Sequence, residues 1–69
     1  MINIKEYIAK QFIHSIYHFK CDCIIPLDVI GIVKDYEILN NEIILIVESN
    51  SKLLHIGLNT PSLMIEEID

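Results

Sequence analysis

"HSIYHFKCDC", residues 14–23, is where this chain changes character, and its reading sets where a helix stops and a sheet begins. Upstream, the residues from 3 onward carry the start signals of a helix. Asn3 can cap, and Glu6 stands three residues on, where its side chain can reach back to the cap in a capping box. Ile2 and Tyr7 occupy the positions of a hydrophobic staple around that cap. At 100° per residue, Ile8, Ala9, Phe12, Ile13, Ile16 and Phe19 fall on one face. Glu6, Lys10, Gln11, His14, Ser15 and His18 fall on the other. This period predicts an amphipathic helix over about 3–20, with His18 and Lys20 placed against the negative pole of its dipole.

Downstream of Cys21 the period becomes that of strands. A short strand is possible at 22–26, and Pro26, with no N–H to give a ladder, belongs at a strand end or edge. "LDVIGIVKDYEIL" (27–39) is rich in branched residues, and Gly31 within it predicts a bend or bulge. Asn40-Asn41 is a two-residue hairpin signal, because asparagine tolerates the positive φ of a type I′ turn. "EIILIVES" (42–49), apolar on both faces, returns as the next strand. "SNS" (49–51) turns, "KLLHIGL" (52–58) is a further strand, "NTPS" (59–62) turns again, and "SLMIEEI" (62–68) closes the sheet. The expected fold class is α+β, a single domain over 1–69. An N-terminal amphipathic helix is followed by an antiparallel β-meander of four to five strands, curled into a small barrel that closes its own edges.

Two resemblances follow from these segments. "VIGIVKDYEILNNEIILIVE" with "LLHIGLNTPSLMIEEI" resembles the small SH3-like barrels, over roughly 28–68, in strand spacing, in Gly31 and in the "NTPS" turn. The chain as a whole is similar to short uncharacterised proteins of Gram-positive conjugative elements, which implies an accessory protein of a mobile element. The barrel family includes nucleic-acid binders with basic loops. The corresponding loops here, "LNNE" and "ESNSK", are not basic, so that function does not transfer with the fold.

Composition narrows the function classes. Of 69 residues, 52% are hydrophobic and sixteen are isoleucine, more apolar surface than a core of this size readily hides. The surplus predicts self-association or a protein partner. The net charge is −5 and all five cations are lysines, a poor complement for nucleic acid, which favours arginine and a basic surface. The isoleucine, asparagine and lysine bias also points to an AT-rich bacterial genome. No apolar run approaches the ~18 residues of a membrane span, and no leader-like segment stands out, so the expectation is a cytoplasmic protein with reduced thiols.

The residues that carry chemistry are few. His14 and His18, in H-x₃-H spacing, with Cys21 and Cys23 form a minority candidate for structural zinc. Four ligands crowded into ten residues, with the cysteines only two apart, make a solvated helix end the better reading, so no metal and no cofactor are expected. His55 lacks an evident nucleophile partner, Ser49, Ser51 and Ser62 are turn residues, and Asp22, Asp28, Asp35 and Glu37 read as a solvated face. Two glycines cannot make a phosphate loop. The leading expectation is a small non-catalytic interaction or assembly module, not an enzyme, with no small-molecule substrate. A nucleic-acid-binding SH3-like barrel using Lys20, Lys34 and Lys52 is one alternative, and a small structural zinc-binding domain is the other.

Overall fold

A computed structural model describes residues 3–22 and 26–68. One short helix, α1 (Ile4–Lys10), precedes five strands: β1 (Ile16–Cys21), β2 (Leu27–Leu39), β3 (Glu42–Ser49), β4 (Lys52–Gly57) and β5 (Leu63–Glu67). The strands form a single antiparallel sheet in the order β4-β3-β2-β1-β5.

The helix is shorter than the period predicts. Asn3 caps α1, its Oδ1 accepting from the N–H groups of Lys5 (3.0 Å) and Glu6 (3.4 Å). The return half of the capping box is replaced: the Glu6 carboxylate accepts from the Tyr36 hydroxyl at 3.4 Å instead. Ile2 of the expected staple lies outside the described residues. After Gln11 the chain turns, and His14 adopts a positive φ of 69°, which histidine tolerates better than most residues. The His14 N–H donates to the Val33 carbonyl (2.8 Å), and the Val33 N–H donates to the Ser15 carbonyl (3.0 Å), so the turn is tied to β2 by two backbone bonds.

Residues 16–20, expected as helix, therefore belong to strand β1, which runs on to Cys21. The reason lies in an ambiguous period. Phe12, Ile13, Ile16 and Phe19 satisfy a helical stripe, but Tyr17, Phe19 and Cys21 also satisfy alternation. Ile16, Tyr17 and Phe19 are β-branched or aromatic, types that fit a pleated, half-buried surface. Alternation won because it seats Phe19 fully buried between β2 and β5, opposite Val29 and Ile65. Tilted contacts between Phe12 and Tyr17 (centroids 5.2 Å) and between Tyr17 and Phe19 (6.0 Å) carry the apolar surface around the corner from helix to strand.

The meander holds for β1 through β4, but β5 does not continue it. It returns to pair with β1, Phe19 opposite Ile65 and Cys21 opposite Leu63. β4 and β5 are thus the two edges, and the sheet is not closed into a barrel. The candidate strand at 22–26 overlaps residues 23–25, outside the described residues; the fifth strand is β1.

β2 is shared along its length. Leu27–Ile32 pairs with β1, and Ile32–Leu39 pairs with β3, with a register shift between Val33 and Asp35. The bulge expected at Gly31 sits there instead. Gly31 is needed for a different reason. A Cβ at that position would lie 2.6 Å from both the Glu48 carbonyl oxygen and Val47 Cγ1, so only glycine lets β2 press this closely on β3. The core forms on the helix side of the sheet from Ala9, Phe19, Val33, Ile43, Leu45, Val47 and Ile56.

Both central residues of each hairpin turn have positive φ: Asn40 (50°) and Asn41 (67°), then Asn50 (51°) and Ser51 (65°). Serine is the least suited of the four to this conformation, where glycine is favoured. Ser51→Gly is expected to stabilise the fold by ~0.5 kcal/mol, raising the melting temperature by about 2–4 °C in thermal denaturation. The "NTPS" segment turns through two i→i+3 bonds, Thr60 N–H to Gly57 O (3.1 Å) and Leu63 N–H to Thr60 O (3.3 Å), reinforced by the Thr60 hydroxyl on Gly57 O (2.7 Å).

Candidate interaction surface

The strand assignment of 16–21 separates the candidate zinc ligands. His14 is an exposed turn residue before β1. His18 points to the outer face of the sheet and Cys21 to the inner one, because successive strand residues alternate and the two are three apart. Cys21 is buried and disulfide-bonded, which corrects the reduced thiol expected there; its sulfur lies 3.2 Å from the Pro61 carbonyl oxygen. Cys23 lies outside the described residues. Among the described residues no group of three or more His, Cys, Asp or Glu side chains is placed to hold a metal ion.

His18 instead pairs with Asp28, its Nε2 donating to Oδ1 at 2.5 Å. The strand register places Ile30 on one side of His18 and Glu66 on the other. The hydrogen bond from His18 holds the Asp28 carboxyl below its ordinary value of 3.8, against partial desolvation and with help from the charges of His18 and Lys20. A carboxyl depressed in the fold contributes stability above 3.8 and loses it as the pH falls through the folded value. Wild-type protein is therefore expected to lose more stability than Asp28→Asn between about pH 5 and about pH 3, in melts recorded across that range.

The other polar candidates scatter. His55 is exposed on β4 opposite Ile46. Lys34 pairs with Glu48 at 3.7 Å, Lys20 sits across from Asp28, and Lys52 lies at the start of β4 opposite Ser49. The Ser49 hydroxyl donates to the Ile30 carbonyl (2.9 Å), while Ser51 and Ser62 occupy turns. Asp28, Asp35 and Glu37 all stand on the exposed side of β2, with the Asp35 carboxylate accepting from the Tyr36 N–H at 2.7 Å. Two shallow depressions flank Lys20 and Met64 along β1 and β5, one of them reaching His18 and Glu66.

What the structure gathers is apolar surface. On the outer face the register aligns Ile16 with Ile32, and then Glu48 with Leu53, in one row across four strands. Ile30 lies two residues from Ile32 on the same face. Ile30 is 55% exposed, Leu53 60% and Ile16 44%. On α1, Ile4 (71%), Tyr7 (61%) and Ile8 (41%) make an exposed i, i+3, i+4 stripe, because the helix buries only Ala9 fully. The surplus is legible in the composition. Its place is not, since the helix over 3–20 would have hidden Ile8 and Ile16 on its core face.

Comparison with protein-family models, curated proteins and solved structures finds no match. Among the described residues no helix is long and apolar enough to cross a membrane.

Proposed function

We propose that this chain is a small non-catalytic interaction module that assembles through its own apolar surface, built on an SH3-like arrangement of strands. The observation carrying the functional reading is the set of large apolar side chains left exposed on a 69-residue chain. The accessible surface is 5139 Å². A compact monomer of 8.0 kDa exposes ~4,450 Å², so roughly 700 Å² is in excess. The SH3-like reading is supported by the last strand returning to the first and by a long, bent β2 shared between two neighbours.

Native mass spectrometry of protein purified without chelator tests this reading, because it reports subunit number and bound metal together. A metal-free dimer or larger assembly is expected. A monodisperse monomer at high concentration would remove self-association, and a monomer carrying one zinc would favour the structural-metal alternative. Retention on a DNA or RNA column at low salt would favour the nucleic-acid alternative.

A further inference from the structure

We propose that Cys21 and Cys23 form a thiol-exchange site, a disulfide that opens and closes against glutathione-type thiols while the fold persists. This goes beyond the interaction module above and does not rest on it. Cys21 is disulfide-bonded, and the sequence holds one other cysteine, Cys23, two positions on. Three observations bear on what that bond does.

The first is how little the bond gives the fold. A disulfide stabilises mainly by removing chain entropy from the unfolded state, and the gain grows with the length of the loop it closes. The loop here runs only from Cys21 to Cys23. This end of β1 is already tied by its ladders, Cys21 standing opposite Leu27 of β2 and Leu63 of β5. Stabilisation of a fold by a disulfide and resistance of that disulfide to reduction are one linked quantity, so a fold that gains little does little to hold the bond shut.

The second is provision for the reduced state. The Cys21 sulfur is buried and lies 3.2 Å from the Pro61 carbonyl oxygen. In the disulfide that sulfur has no hydrogen to give. Once reduced, the thiol donates to that oxygen, so opening the bond leaves no buried polar hydrogen without an acceptor.

The third is approach. One of the two depressions along β1 and β5 is lined by Cys21, Asp22, Pro26 and Leu27, and so opens the end of the sheet beside the bond. Asp22 and Asp28 against Lys20 make its rim acidic. That slows an anionic thiol such as glutathione relative to an uncharged one, and leaves the equilibrium where the two sulfurs put it.

Because Cys21 is buried, the incoming thiolate attacks the Cys23 sulfur. The S–S bond breaks, a mixed disulfide forms on Cys23, and Cys21 leaves as a thiolate that takes up a proton and bonds the Pro61 oxygen. A second thiolate attacks the incoming group's sulfur in the mixed disulfide. It departs with that group as an oxidised disulfide, and Cys23 takes up a proton as a thiol. Two thiols have then supplied the two electrons and two protons that open the bond.

The test equilibrates the purified protein in buffers of reduced and oxidised glutathione at varied ratio, followed by acid quench, alkylation and mass spectrometry. Circular dichroism melts are recorded on the fully oxidised and fully reduced forms. The expected result is a passage from disulfide to dithiol within the glutathione range, with a native spectrum in both states. Reduction is expected to lower the melting temperature by less than about 10 °C. A bond that stays closed in reduced glutathione alone, or a sheet that unfolds when the bond opens, would make it a structural staple and overturn the exchange site. A pair that stays open in oxidised glutathione, or a disulfide found between two copies on a non-reducing gel, would overturn it equally.

Discussion

Gly31→Ala is expected to destabilise the fold by about 2–3 kcal/mol, a fall in melting temperature of roughly 10–20 °C for a domain of this size. The added Cβ would stand 2.6 Å from the Glu48 carbonyl oxygen and 2.6 Å from Val47 Cγ1. Val47 Cγ1 belongs to a fully buried core residue, and the Glu48 oxygen belongs to the backbone, so neither can swing aside as a long surface side chain would. Relief requires β2 and β3 to separate where β2 passes from one partner strand to the other. The effect is one of overpacking, since Gly31 does not use a positive φ and alanine is not strained there by its backbone. Thermal denaturation of the two proteins, followed by circular dichroism, checks it. An unchanged melting temperature would mean the two strands do not approach as described.

Phe19→Ala has the larger expected effect. Removing a fully buried phenylalanine costs about 3–5 kcal/mol, through lost burial and the cavity left behind. A 69-residue chain has on the order of 3.5–10 kcal/mol of total stability. The variant is thus expected to be largely unfolded on warming to 37 °C, with loss of dispersion in its amide NMR spectrum. The companion variant Ile16→Ala, measured at high dilution, is expected to cost ~1 kcal/mol or less, because Ile16 is nearly half exposed on the opposite face of β1. A helix would place both residues on one buried face and make both variants severe. The contrast between them therefore reads the secondary structure of residues 16–21 directly.

That segment also shows where sequence reasoning stops. The strands from Leu27 onward were legible because their ends carry local chemistry: Asn40-Asn41 at the first hairpin, Asn50-Ser51 at the second and the "NTPS" turn before β5. The N-cap at Asn3 was legible for the same reason. The end of α1 was not, because no glycine or proline marks it. His14 takes the left-handed position, and Val33, nineteen residues away, supplies its hydrogen-bond partner. The return of β5 to β1 is similarly non-local, decided by Phe19 and Ile65 meeting across the sheet. Gly31 was visible as a special position but not its reason, which depends on how closely β3 approaches. The zinc candidate depended on the helix period of 14–18, and once β1 is a strand His18 and Cys21 face opposite sides. The apolar excess was legible as a quantity, whereas its address on the outer face around Ile30 depends on the register of β1, β2 and β3.

Isotope-filtered NMR on an equal mixture of labelled and unlabelled protein tests the central claim most directly, because it sees only contacts between copies. The account predicts intermolecular contacts from the methyl groups of exposed apolar residues such as Ile4, Ile16, Ile30 and Leu53. Their absence at high concentration would contradict it.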